Sequence, residues 1–203
     1  MIQKKVILQL ALFTLVAMPL VAVVIDRLSD NVDLSVSLVG YKALWQQLTI
    51  GVVTGLVIAF LAQKLISSKL LQKVNLQYAR MLGNLKFSWG EILFVSLCAG
   101  VGEELLFRGA IQPLLGVVFT SICFVAIHGY INPSNWRLSV YGAFMTLAIT
   151  GLGYICNYFG LIAPIIAHII IDVYLLIFLQ KTAELDISSK MNADTQNEDS
   201  RFF

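Results

Sequence analysis

The chain is short of charged residues, histidines and cysteines, and each shortage narrows its class. Only 13% of its 203 residues are charged and 58% are hydrophobic, a balance typical of multi-span membrane proteins. Its three cysteines all lie in apolar runs, which argues against a disulfide framework. It has neither a His-Glu-x-x-His nor a Gly-x-Ser-x-Gly motif, the local signatures of two large hydrolase groups. No basic patch is interleaved with aromatic residues, so nucleic acid is not an expected partner.

Long apolar runs predict an all-α integral membrane protein, a bundle of about six transmembrane helices with a polar intramembrane active-site cavity. A helix needs about 20 apolar residues to cross a bilayer. Lysines and arginines concentrate at the N-terminus and between the second and third runs, which predicts cytoplasmic termini and a multi-pass protein of the cytoplasmic membrane. The bilayer is therefore the first expected partner. The predicted spans lie near 6–25, 46–66, 89–114, 117–133, 138–156 and 159–179.

Three regions follow from this pattern. Residues 1–88 are expected to hold two N-terminal transmembrane helices and a basic loop, and residues 89–180 a core of four helices. Residues 181–203 are polar and predict a solvated, mostly disordered tail without catalytic residues. In the second span, Gly51 and Gly55 form a small-xxx-small face, which predicts close packing against another helix, either of the same chain, the favoured interpretation, or of a second copy in a dimer.

Charged groups inside the apolar core need a reason. A charge at the bilayer centre costs roughly 2.5–3.5 kcal/mol on insertion scales, yet Glu103, Glu104 and Arg108 fall within six residues. Glu104 and Arg108 are spaced i,i+4 and are expected to pair on one helix face. The chain's two histidines, His128 and His168, also lie in apolar runs. Together these groups predict a buried reaction centre.

Membrane depth links two of these groups. Gly116 is the expected break between the third and fourth spans. Glu103 precedes it by 13 residues and His128 follows it by 12. At 1.5 Å per residue, both side chains lie roughly 18–20 Å from the turn in two antiparallel helices. A Glu103–His128 encounter is therefore expected.

Three short motifs resemble, in order and spacing, those of the CPBP family, which comprises CAAX prenyl endopeptidases and bacteriocin-processing or immunity (Abi) proteins. They are Glu103-Glu104-x-x-x-Arg108, Phe124-x-x-x-His128 and His168-x-x-x-Asp172. The flanks are similar too, with Phe107-Arg108-Gly109 after the glutamates and Gly160 and Pro164 ahead of the third motif. The resemblance covers about residues 90–180. It implies an intramembrane endopeptidase acting on a hydrophobic or lipidated peptide, either CAAX-type or bacteriocin-like.

The resemblance also implies residue roles. Glu103 and His128 would activate the hydrolytic water, and His168 with its i+4 partner Asp172 would stabilise the oxyanion. Many members have asparagine at the last position, and an ionised aspartate cannot donate a hydrogen bond. Asp172 is therefore expected to orient His168, which becomes the electrophilic donor. Three further residues are expected to support the site structurally: Glu104, Arg108 and Phe124.

Several alternatives stay open at this stage. Glu103, His128 and His168 have the composition of a His₂Glu set for a divalent metal such as zinc, so both a metal-free and a metalloprotease-like mechanism are considered, with the former favoured. A non-catalytic bacteriocin self-immunity or membrane interaction protein would keep the same fold. A proton-coupled transporter would show inverted repeats, and none is detectable. Sequence does not define the oligomeric state.

Overall fold

The computed structural model describes residues 4–83 and 85–199, with side chains described up to residue 189, and this part of the chain is helical without strands. The predicted all-α class is confirmed. One segment, Leu105–Ile111, is a π-helix inserted between two α-helices. The α-helices are α1 Lys4–Leu28, α2 Leu34–Val39, α3 Leu44–Ile66, α4 Gln72–Gly83, α5 Trp89–Glu104, α6 Gln112–Leu115, α7 Val117–Ile127, α8 Trp136–Phe159 and α9 Ile162–Asp199.

Four described segments are long and apolar enough to cross a membrane: α1, α3, α8 and residues Ile162–Ser189 of α9. The third predicted span exists as one helical run, divided into α5, the π-helix and α6. The fourth, predicted near 117–133, is wrong in length, because α7 has only 11 residues. It ends where Gly129 takes a left-handed φ of 74°, four residues before Pro133.

The outer surface of the bundle is apolar. On α1, Phe13 is 68% exposed and Leu20 is 61% exposed. Of the most apolar 18-residue stretch of this helix, 11% is buried inside the bundle. An apolar face of this size is too large for water contact and is the surface expected against lipid chains. The chain is a multi-pass integral membrane protein.

The glycine face of α3 packs against α9, as predicted. A Cβ atom on Gly51 would lie 2.6 Å from the backbone oxygen of Ala163, and one on Gly55 2.8 Å from that of Ala167. Only glycine permits such an approach of two helix backbones. The contact holds the first turns of α9, in which His168 lies, against the central core of the bundle.

The predicted disordered tail is corrected over residues 181–199, where α9 continues to Asp199. The reason is a partner that composition does not reveal. Helix α4 packs on this part of α9 through Ala79 and Ala183, and the Arg80 guanidinium donates to both oxygens of Asp186 at 2.8 and 3.1 Å. Residues 200–203 lie outside the described part.

Candidate active site

The two adjacent glutamates end helix α5, immediately before the π-helix. In the π-helix the backbone amide of Gln112 donates to the carbonyl of Phe107, five residues earlier, instead of four. One extra residue in a turn rotates the following side chains relative to a continuous α-helix. Glu103 and Glu104 precede this turn and, as adjacent residues of an α-helix, point about 100° apart and face different neighbours. Arg108 lies within the wide turn itself.

Glu104 is the centre of a sealed ionic network. Its side chain has no exposed area, and that of Arg108 is 1% exposed. Oε1 of Glu104 lies 3.0 Å from an Arg108 guanidinium nitrogen, as the i,i+4 spacing predicts. The same oxygen accepts a hydrogen bond of 2.7 Å from Nδ1 of His168. A buried carboxylate with two cationic or donor partners is the arrangement in which burial of a charge is tolerated.

His128 takes its position from the end of α7. Its Nδ1 lies 2.7 Å from the carbonyl oxygen of Phe124, one helical turn earlier. A carbonyl only accepts, so Nδ1 carries the proton and the ring is held by the helix end. Nε2 is left to point into the bundle.

Nε2 of His128 meets Glu103, as the depth argument predicts. It lies 3.3 Å from Oε2 of Glu103, with side-chain exposures of 30% for the histidine and 12% for the glutamate. This separation is longer than the 2.7–2.9 Å of a charge-assisted hydrogen bond. The pair is thus looser and more accessible than the Glu104 network beside it.

His168 lies between two carboxylates. Its Nδ1 is hydrogen-bonded to Glu104, while its Nε2 is 3.6 Å from Oδ2 of Asp172. The second distance exceeds a hydrogen bond, so Nε2 keeps a free direction. Asp172 is the more accessible of the two partners, with 30% of its side chain exposed. Glu104, buried and closer, also holds the ring, and the predicted role of Asp172 in orienting His168 stays a prediction.

Phe124 connects the parts of the site. Its ring stacks on His128 with centroids 4.4 Å apart, and meets the ring of His168 edge-on at 5.9 Å. The Arg108 guanidinium carbon lies 4.5 Å from its centroid, a cation–π distance. Phe124 is 5% exposed and rigidly packed, which agrees with its predicted supporting position.

The His₂Glu set considered for a metal does not fit this arrangement. Glu103 and His128 point at each other, whereas His168 directs Nδ1 at Glu104 and Nε2 at Asp172. Among the described residues, no three histidine, cysteine, aspartate or glutamate side chains are grouped to hold a metal ion. No chemical step is therefore derived through a metal.

Two features of the site have no signal in the sequence. The Glu104–His168 hydrogen bond joins residues 64 positions apart, so no helical spacing predicts it. The π-helix at Leu105–Ile111 also follows from no periodicity in an apolar run. The structure nevertheless brings all seven predicted site residues into one contiguous cluster.

Comparison with known proteins supports the family resemblance. Residues 85–174 match a family model described as type II CAAX prenyl endopeptidase Rce1-like. A similar curated protein is the "Uncharacterized protein YpbD" of Bacillus subtilis (strain 168), 37% identical over 89 residues, which are 43% of this chain and 44% of that protein. The chain thus matches less than half the length of this relative. No solved structure matches it significantly.

The family match contains all the motif residues, from Glu103 to Asp172. Type II CAAX prenyl endopeptidases are one of the two branches implied by the CPBP resemblance. Residues 85–174 of this chain are thus similar to the Rce1-like family, and this match is consistent with the predicted CPBP resemblance.

Proposed function

We propose that this protein is an intramembrane endopeptidase that hydrolyses a peptide bond of a membrane-associated peptide or protein. The observation that carries the proposal is the Glu103–His128 pair, 3.3 Å apart and partly exposed beside a sealed Glu104–Arg108–His168 network. A carboxylate and an imidazole that lie against each other and are both partly exposed can contact the same water molecule and polarise it. The Rce1-like family match supports a CAAX protease type of chemistry.

In the proposed reaction, Glu103 accepts a proton from a water that His128 also contacts. The resulting hydroxide attacks the carbonyl carbon of the scissile bond and forms a tetrahedral intermediate. The Glu103 carboxyl then returns the proton to the amide nitrogen, and the carbon–nitrogen bond breaks. One water is consumed, a new carboxylate and a new amine are produced, and both side chains return to their starting state.

His168 is proposed to stabilise the oxyanion. Its Nδ1 donates a hydrogen bond to Glu104, which locks the ring, and its Nε2 lies beyond hydrogen-bond distance from Asp172. In the proposed step the ring is the imidazolium, paired with these two carboxylates, so that Nε2 also carries a proton and can donate it to the oxyanion in a hydrogen bond. A donor held in place before the reaction lowers the cost of reorganisation when charge develops. Asp172 would position this ring from the accessible side, and Glu104, Arg108 and Phe124 would keep the arrangement rigid.

The proposed substrate is a hydrophobic or lipidated peptide, CAAX-type or bacteriocin-like, reaching the site from the bilayer. The proposed location is the cytoplasmic membrane, on the basis of the lysine and arginine distribution.

The test is cleavage of a quenched library of prenylated and unmodified apolar peptides by the purified protein. Wild type is compared with His128→Ala, both with and without a chelator. Cleavage by wild type that is lost in His128→Ala and unchanged by the chelator is the expected result. Inhibition by the chelator with recovery on adding zinc would overturn the metal-free mechanism. No cleavage by folded wild type would overturn hydrolysis and favour the immunity or interaction alternative.

A further inference from the structure

A second feature adjoins the site: an apolar cavity of about 230 Å³ between α4, α8 and α9. Helix α4 contributes Tyr78 and Leu82, and the start of α8 contributes Leu138 and Tyr141. Among the described residues, Asp172 is the one charged side chain on its wall. The mechanism above uses no other part of this space.

The cavity adjoins the candidate active site through Asp172. Asp172, 3.6 Å from His168, faces both. Tyr130 lines the cavity and lies nearly parallel to His128, with an angle of 10° and a centroid distance of 6.1 Å. It also meets Tyr141 edge-on at 5.4 Å. A group seated in the cavity would therefore lie within one side chain of both histidines.

Volume limits what the cavity can hold. An apolar cavity of about 150 Å³ accommodates benzene, so each carbon needs roughly 25 Å³. On this scale the cavity, at about 230 Å³, holds roughly nine carbon-sized atoms. A leucine, methionine or phenylalanine side chain fits this limit. A 15-carbon prenyl chain needs roughly 375 Å³, so part of it would lie outside the cavity.

We propose that this cavity binds one large apolar side chain of the peptide substrate, next to the scissile bond, and thereby sets the side-chain preference of the enzyme. The inference rests on the proposed hydrolytic function. Helix α4 belongs to the basic connection between α3 and α5, so the substrate's peptide segment enters from the side of the protein that carries these cations. Any lipid on the substrate remains outside, against the apolar surface of the bundle.

Two leucines of α4 make a matched test. Leu82 lines the cavity, whereas Leu76 lies on the same helix outside it, and both are half-buried. Fluorescent peptides that differ at one position (alanine, leucine or phenylalanine) are assayed with wild type, Leu82→Trp and Leu76→Trp. Cleavage gives kcat/KM, and equilibrium binding is measured in parallel with the same peptides.

Wild type is expected to prefer leucine over alanine at one position by about 10-fold or more in kcat/KM. Leu82→Trp fills the cavity and should abolish this preference, while Leu76→Trp should keep it. If Leu82→Trp does not fold, Leu82→Ala enlarges the cavity and should shift the preference from leucine toward phenylalanine. Equal preferences in the Leu82 and Leu76 variants, or no preference in wild type, would overturn the inference.

The binding measurement separates this inference from the proposed function. Cleavage at the same rate whichever side chain is present would support the proposed hydrolysis and refute the role of the cavity. Side-chain-dependent binding that only the Leu82 variants alter, without any cleavage, would support the cavity and refute hydrolysis.

Discussion

Glu104→Gln isolates the charge at the centre of the buried network. The substitution keeps the size and shape of the side chain and removes one negative charge. Arg108, 1% exposed, then has no carboxylate within 4 Å among the described residues, and His168 loses the anionic acceptor of its 2.7 Å hydrogen bond. An uncompensated cation remains buried, which is the costly half of breaking an ion pair.

The expected loss of stability is about 3–5 kcal/mol, the usual cost of removing one partner of a buried pair. Arg108→Met should cost less, because Glu104 keeps its hydrogen bond from His168. The double variant Glu104→Gln/Arg108→Met leaves neither charge buried and should recover at least half of the loss, since apolar replacement of a whole buried pair is often nearly neutral. Together with wild type, the three variants form a double-mutant cycle, which gives the interaction energy between Glu104 and Arg108.

Reversible unfolding of the protein in lipid bicelles supplies the free energies. Glu91→Gln is the matched control, since Glu91 also pairs with a cation, Lys4 at 2.8 Å, but with 25% of its side chain exposed. Glutamine keeps the capping box with Ser88, so this variant should unfold like wild type. Glu104→Gln unfolding at the same midpoint as Glu91→Gln would refute the account of a stabilising network.

Three further outcomes are expected. Gly55→Ala should destabilise the bundle by about 1–3 kcal/mol, because its Cβ would lie 2.8 Å from the backbone oxygen of Ala167. Gly151→Ala should not, because no described neighbouring atom lies within 4 Å of a Cβ at that position. Equal melting temperatures of the two variants would contradict the close packing of α3 on α9. The pKa of Asp33 lies below its ordinary value because the Ser35 hydroxyl and a backbone amide donate hydrogen bonds to its carboxylate. The N-terminal cap of α2 is therefore intact above this pKa and weakens as the pH falls through it. An NMR titration midpoint of Asp33 at or above the ordinary value would contradict this. Peptide hydrolysis should continue after dialysis against a chelator. A loss of activity in proportion to the amount of metal removed would refute the proposed chemistry.

Helical counting was sufficient for the contacts that lie within one helix or on either side of one turn. The i,i+4 rule predicts Glu104 beside Arg108, and equal distances from Gly116 predict Glu103 beside His128. Both follow because a helix has a fixed rise and a fixed angle per residue. The glycine spacing in α3 likewise predicts a close helix contact, although not that its partner is α9.

The sequence did not predict the contacts between helices that are far apart in the chain. Glu104 and His168 meet only because α5 and α9 pack together, where a Cβ on Gly100 would lie 2.5 Å from Ile169. In the continuation of α9 beyond residue 180, Ala183 and Asp186 contact α4, a short amphipathic helix that composition suggests is a loop. In both cases tertiary packing decides, and single-sequence patterns do not report which faces meet.

The central claim is that Glu103 is the base of a peptide hydrolase, and its most direct test is a turnover comparison in liposomes. Wild type, Glu103→Gln and Glu91→Gln are reconstituted at equal density and given one apolar peptide. Removing a general base typically costs about 10²–10⁴-fold in rate, so kcat should fall by this amount in Glu103→Gln and stay at the wild-type value in Glu91→Gln. A Glu103→Gln variant that turns over as fast as wild type would contradict the account.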